Sequence, residues 1–152
     1  MRLWPVFLGL CVVLAGCGSK GGASLLVQVD QPTVSVVDGA AGTSLSGSFH
    51  LSLQLGSEAS GSAQVTLGNF SLQSEAGAPL IEVLNLTASP DFPVDVGKGQ
   101  TQIVNLTFDE DSVDRATLCA GKVRIVGSVL DSLKGGTDPV SSALFTPDCG
   151  AT

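Results

Sequence analysis

The chain has 152 residues with 14 acidic against 7 basic side chains, a formal net charge of −7 at pH 7. Nucleic-acid binding requires clustered lysine and arginine to neutralise phosphates, so this balance argues against a nucleic-acid partner. It also argues against direct adsorption to anionic lipid headgroups. The length that remains beyond an N-terminal targeting segment suits a single domain with one core.

The chain opens with the layout of a secretory signal peptide, which we assign to residues 1–16. Arg2 precedes an apolar run that ends at Leu14, and two small residues follow. A basic start, a short apolar middle and a small-residue cleavage site are the features that export requires. A transmembrane helix is the competing interpretation, but this apolar run of about a dozen residues is shorter than the roughly 20 that a bilayer span needs.

The four residues Leu14-Ala15-Gly16-Cys17 resemble the lipobox of bacterial lipoproteins. In that family the signal is cut before the cysteine, so the resemblance implies that Cys17 carries acyl chains such as palmitate. Two or more chains hold a protein firmly on a membrane. Residues 17–24 would then be a lipidated N-terminus and a flexible Gly/Ser-rich linker. A plain Cys17 thiol behind an ordinary signal is the alternative.

The residue after the cysteine bears on the location. These lipoproteins often carry an aspartate there for retention in the inner membrane, and this chain has Gly18 instead. For a Gram-negative source, the resemblance therefore implies a cell-envelope protein anchored by lipid at the outer membrane.

Beyond residue 24 the pattern is that of strands and turns, and we predict one β-sandwich domain over residues 25–152. The clearest strand is 45–55, in which apolar residues from Phe49 onward alternate with polar ones. The run 65–72 also alternates, but its apolar phase slips by one across Gly68-Asn69, which predicts a β-bulge. We predict that these two runs form a long hairpin.

Further strands are predicted at 25–29, 33–37, 80–88, 102–108, 123–130 and 140–145. Prolines lie between these runs or at their ends, where the missing N–H does no harm. Helical periodicity is almost absent, and only 111–119 is predicted to form a short helical turn. About seven to nine short strands separated by turns predict an all-β antiparallel sandwich.

Several segments between Val65 and Thr146 follow one another as strand, turn, strand, insertion, glycine turn and strand. They are Val65-Thr66-Leu67-Gly68-Asn69, Gly77-Ala78-Pro79-Leu80, Asp91-Phe92-Pro93-Val94, Gly97-Lys98-Gly99-Gln100-Thr101 and Val104-Asn105-Leu106-Thr107-Phe108. In this order they resemble the immunoglobulin-like modules of bacterial envelope and cilia-associated proteins, of the ASH or choice-of-anchor type. The resemblance implies an Ig-like scaffold used for attachment, without catalysis.

Two cysteines, Cys119 and Cys149, remain when Cys11 leaves with the signal and Cys17 takes the lipid. Disulfides persist in exported domains, so we predict a Cys119–Cys149 disulfide rather than two free thiols. Closing a loop of about 30 residues stabilises a fold by roughly 3–4 kcal/mol on the chain-entropy model. A zinc site is not favoured, because these cysteines and the single His50 do not supply four ligands.

The sequence has one acidic cluster, Asp109-Glu110-Asp111-Ser112-Val113-Asp114. Calcium prefers several carboxylate and carbonyl oxygens, so Asp109, Asp111 and Asp114 are candidate Ca²⁺ ligands. The run lacks the central glycine and terminal glutamate of an EF-hand, and Arg115 follows immediately. A solvated loop is therefore the competing interpretation.

No catalytic constellation stands out in the sequence. His50 alternates onto the polar face of the strand 45–55, and a general base without a partner in reach is weak evidence, so we expect a surface histidine. We expect a lipid-anchored, non-catalytic envelope protein with a structural, adhesion or assembly role and an envelope protein as partner. The alternatives are a small ligand- or calcium-binding module, and an enzyme whose carboxylates come together from separate strands.

Overall fold

The computed structural model describes residues 24–40 and 42–150, which form nine strands and one short helix. The elements are β1 Leu25–Gly39, β2 Gly42–Leu55, β3 Ala63–Ser74, β4 Pro79–Ile81, β5 Leu86–Ser89, β6 Val94–Val96, β7 Thr101–Asp111, α1 Arg115–Leu118, β8 Val123–Asp131 and β9 Gly136–Ser141. The short helical turn predicted within 111–119 is confirmed as α1.

The strands form two antiparallel sheets. Sheet A has the order β1-β2-β7-β5, and sheet B has the order β4-β3-β8-β9, with β6 also pairing with β3. Each long strand alternates apolar with polar residues and thus has one face that must leave water, and the two sheets bury these faces against each other. The predicted all-β antiparallel sandwich is confirmed.

The core between the sheets is built around three phenylalanines. Phe49 on β2, Phe70 on β3 and Phe108 on β7 are each 0–1% exposed. The ring centroid of Phe49 lies 5.5 Å from that of Phe70 and 6.3 Å from that of Phe108. Sheet A and sheet B therefore meet through aromatic contacts at the centre of the molecule.

The predicted hairpin between the runs 45–55 and 65–72 is wrong. β2 pairs with β1 and β7 in sheet A, whereas β3 pairs with β4, β6 and β8 in sheet B. The connection 56–62 crosses from one sheet to the other, so the apolar faces of the two strands meet across the core. Alternation determines which face of a strand is buried, but not which strand lies beside it.

The β-bulge predicted in the second of these runs is confirmed. The register of β3 against β8 shifts between Leu67 and Phe70, so that two residues of β3 lie opposite one of β8. Beyond the bulge Phe70 lies opposite Gly127, and its ring occupies the space that a Cβ atom at Gly127 would need. The absence of a side chain at Gly127 thus makes room for a core phenylalanine.

Pro32 does not separate two strands as predicted. The two runs on either side of it belong to one strand, β1, which has a bulge between Asp30 and Thr33. There Gln31 and Pro32 lie opposite the single residue Phe49, and Gln31 has φ of 50°, in the left-handed region. β1 is an edge strand, which is a position where a sheet tolerates proline.

Two other predicted strands are interrupted in the structure. The run 80–88 is divided, since β4 belongs to sheet B and β5 belongs to sheet A. Between them the N–H of Leu84 donates to the carbonyl of Phe70 at 2.8 Å, as the chain crosses the edge of the sandwich. The regular pairing of the run 140–145 with β8 ends at Ser141, and Phe145 pairs with Val123 of the same strand as an isolated bridge.

Candidate functional site

The predicted lipid anchor lies outside the described residues. These omit residues 1–23, and with them Leu14-Ala15-Gly16-Cys17 and all of the linker except Ser24. In the part of the chain that is described, no helix is long and apolar enough to cross a bilayer. The described chain starts at the end of the sandwich where β1 begins and where β2 turns toward β3.

The other candidate residues cluster at the opposite end of the sandwich. This end, called here the helix end, comprises residues 109–123 with α1 and the C-terminal residues 144–150. It adjoins the turn between β1 and β2, because Val113 donates to the carbonyl of Thr43 at 3.2 Å. The acidic cluster and both cysteines of the sequence prediction are therefore brought together in one region.

The acidic residues of β7 have different surroundings. Asp109 and Asp111 are exposed and lie opposite Ser46 and Ser44 on the outer face of sheet A. Glu110 points to the other side, and its carboxylate accepts hydrogen bonds from the backbone N–H and the side-chain amide of Asn85 at 3.0 and 3.2 Å. Glu110 thereby holds the segment that leads into β5.

Asp114 is the N-cap of α1. Its side chain accepts from the N–H of Ala116 at 3.1 Å, which satisfies a donor that the first helical turn leaves unpaired. The hydroxyl of Thr117 also donates to this carboxylate. The hydrogen bond from the Thr117 hydroxyl lowers the pKa of Asp114 against an opposing effect of desolvation, and the backbone N–H groups of Ala116 and Thr117 add to the lowering.

The calcium prediction is not supported. Asp109, Asp111 and Asp114 do not form a metal-binding group, and across residues 24–40 and 42–150 no three His, Cys, Asp or Glu side chains do. Two of the three predicted ligands project from the sheet face, while the third is committed to capping α1. The cluster has a structural role at Asp114 and at Glu110.

A cavity of about 410 Å³ lies beside this cluster. One wall is β4, and the other is formed by residues 110–114 with Thr117 and Leu118. The cavity is lined by acidic side chains and by apolar ones such as Ile81 and Val113. Its volume falls within the range of about 300–1,000 Å³ that is common for small-molecule sites.

His50 lies on the outer face of sheet A and is partly exposed. It stands opposite Asp30 on β1 and Asn105 on β7 in the strand register. Ser48 and Ser52 flank it on the same face of β2, and the side chains of Thr33 and Ser48 form a cross-strand hydrogen bond of 2.9 Å. This face is thus uncharged over most of its area and rich in hydroxyl and amide groups.

The predicted disulfide is confirmed. Cys119, the C-cap of α1, is bonded to Cys149, and their Cα atoms are 6.1 Å apart. This bond fastens the C-terminal residues to the helix end. The prediction was possible because Cys119 and Cys149 are the only cysteines beyond the predicted signal and lipidation site.

Arg115 is the residue at this end that the sequence reasoning did not identify. Its guanidinium forms an ion pair with Asp38 at 3.1 Å, and it donates to the carbonyls of Cys149 and, at 3.2 Å, Gly150. The only local signal was a lone cation directly after an acidic run. The partners of that cation lie tens of residues away, and nothing in the local pattern marks them.

No family model, no curated protein and no solved structure matches this chain. The residues that bear on function are the N-terminal motif, the two disulfide-bonded cysteines and the charged side chains of the helix end.

Proposed function

We propose that this chain is a lipid-anchored, non-catalytic protein of the bacterial cell envelope, held at the outer membrane by acyl chains on Cys17. The observation that carries the proposal is the motif Leu14-Ala15-Gly16-Cys17 behind a short apolar run. The Cys119–Cys149 disulfide agrees with it, because disulfides persist in exported proteins and are rare in the cytosol.

The dimensions of the tether support a role in attachment or assembly. Residues 18–24 reach at most about 25 Å when fully extended. β1, which follows them, has 15 residues and is about 50 Å long. The helix end is thus the part of the domain farthest from the anchor, and we propose that it meets the envelope partner.

The charge of the helix end indicates the kind of partner. The carboxylates in or beside it are Asp38, Asp109, Glu110, Asp111, Asp114 and Asp148, whereas Arg115, Lys122 and Arg124 are the cations there. This excess of negative charge favours a partner with a basic surface and disfavours an acidic one. Charge complementarity of this kind serves a structural or adhesive role, which requires no catalysis.

Metabolic labelling with a palmitate analogue, combined with intact-mass measurement, tests the anchor. The matched pair is Cys17→Ser, which removes the acylated residue, and Cys11→Ser, which changes a cysteine inside the signal. We expect label in the natural chain and in Cys11→Ser, and none in Cys17→Ser. Label that survives Cys17→Ser, or a processed natural chain without acyl mass, contradicts the proposal.

A further inference from the structure

The last described residues, 144–150, form a segment that we call the strap. Its backbone pairs with β1, because the N–H of Val36 donates to the carbonyl of Asp148 and the N–H of Asp148 donates to the carbonyl of Val34, both at 2.8 Å. It also pairs with β8, since Phe145 and Val123 exchange two hydrogen bonds of 2.9 Å. The strap therefore joins the edge of sheet A to sheet B by main-chain hydrogen bonds.

The strap covers part of an edge that is otherwise open. β1 is the outermost strand of sheet A. Beyond its bulge, the strap lies in parallel register with it at Ser35. Before the bulge, no backbone hydrogen bond within the described residues reaches the outer side of β1. An uncovered edge presents unpaired N–H and C=O groups that other strands can pair with, so the strap closes the half of β1 nearest the helix end.

Apolar burial holds only part of the strap, because Phe145 and Cys149 pack against the core whereas Leu144 is exposed. Leu144 is 40% exposed and Phe145 is only partly buried, although Pro147 is buried. Surface segments with few apolar contacts are loosely held unless other contacts fix them. Two ties are present here, the bond from Cys149 to Cys119 and the hydrogen bonds that Arg115 donates to Cys149 and Gly150.

We propose that the Cys119–Cys149 disulfide is a redox-operated lock on the strap, and that its reduction opens the covered half of β1 while the sandwich stays folded. The reductant is a dithiol. One of its thiolates attacks a sulfur of the disulfide and forms a mixed disulfide, and its second thiol then displaces the protein thiol. The products are the thiols of Cys119 and Cys149 and the oxidised, cyclic disulfide of the reductant, a balanced two-electron exchange.

Both cysteines are partly exposed, so a dithiol can reach them. The lock joins the strap to α1, which is itself fixed to the sandwich by the buried Leu118. Losing the disulfide leaves the strap with the contacts of Arg115, the burial of Pro147, the packing of Phe145 and the main-chain hydrogen bonds. These hydrogen bonds lie at the surface, where each contributes little against the conformational entropy that the strap gains when it is released.

Amide hydrogen exchange on the purified protein tests this proposal, before and after reduction with dithiothreitol. The reporters are the amides of Val36 and Asp148, and the reference amides are those of Leu51 and Val104 in the centre of sheet A. We expect reduction to accelerate exchange at the reporters by roughly 100-fold or more, while the reference amides stay protected over labelling times of seconds. Short labelling times are needed because losing a disulfide also lowers global stability.

Two outcomes overturn the proposal. Reporters that stay protected after alkylation confirms two free thiols mean that the strap does not need the lock. Reference amides that exchange together with the reporters mean that the disulfide supports the whole fold rather than the strap. The double variant Cys119→Ser with Cys149→Ser is the control: it should show the open pattern without dithiothreitol, and adding dithiothreitol should change nothing. If that variant does not fold, chemical reduction of the natural chain still decides between the outcomes.

Discussion

Between the two sheets this protein is held by apolar side chains that touch across the core, whereas at the helix end it is held by hydrogen bonds, an ion pair and a disulfide. The ring centroids of Phe70 and Phe108 lie 5.5 and 6.3 Å from that of Phe49. At the helix end Arg115 forms an ion pair with Asp38 and donates to the carbonyl of Gly150. Asp114 accepts a hydrogen bond from the N–H of Ala116.

The two kinds of contact differ in strength. Burying a large apolar side chain contributes about 1.5–3 kcal/mol. An exposed ion pair contributes about 0–1 kcal/mol. The non-covalent contacts of the helix end are thus of the weaker kind, and the disulfide adds a covalent bond to them.

The largest change in the free energy of unfolding is expected for a substitution at the centre of the core. Phe49→Ala removes a ring that is 0% exposed and in contact with both neighbouring phenylalanines. We expect the free energy of unfolding to fall by about 3–5 kcal/mol, since the cavity does not close fully. Equilibrium urea unfolding measures this, with Gln54→Ala as the control on the exposed face of the same strand, where we expect a change within about 0.5 kcal/mol. A loss of under 1 kcal/mol for Phe49→Ala would mean that packing does not dominate the centre.

A second change tests how tightly the centre is filled. Gly127→Ala places a methyl group in the space of the Phe70 ring, which is 1% exposed and has little freedom to move. We expect a loss of about 1–3 kcal/mol in the same unfolding experiment. Gly136→Ala is the matched control, because a Cβ atom there meets no atom within 4 Å. Equal stability of the two variants would show that the core has room at Phe70.

The centre was also the part that the sequence predicted well. The alternation from Phe49 onward identified the buried face of β2, and the slip at Gly68-Asn69 identified the bulge of β3. Both signals are local, since the identity of each residue reports on its own exposure. Pairing is not local, and the same alternation is compatible with β2 beside β3 in one sheet or opposite it in the other.

The helix end was predicted only in part. The disulfide followed from the number of available cysteines, and the position of α1 from the lack of strand alternation in 111–119. The contacts of Arg115 with Asp38 and Gly150 join residues 77 and 35 positions apart, and no periodic pattern in the sequence predicts them. The acidic run suggested a calcium site because composition does not reveal that one of its aspartates is used as a helix cap.

That cap gives the smallest of the predicted effects and the one most specific to the helix end. Hydrogen bonds to the ionised side chain lower the pKa of Asp114 below its ordinary value of 3.8. A carboxyl group with a lowered pKa in the folded state stabilises the fold fully above that ordinary value, and the contribution is lost as the pH falls through the lower, folded-state pKa. We expect Asp114→Ala to reduce stability slightly at pH 7 and to flatten this part of the acid dependence, as followed by thermal unfolding at a series of pH values.

Asp114→Asn separates the two roles of the residue, because asparagine caps helices about as well as aspartate but does not titrate. It should keep most of the stability at pH 7 and lose the acid dependence, whereas an unchanged acid dependence in both variants would place the titrating group elsewhere and leave α1 without an ionised cap.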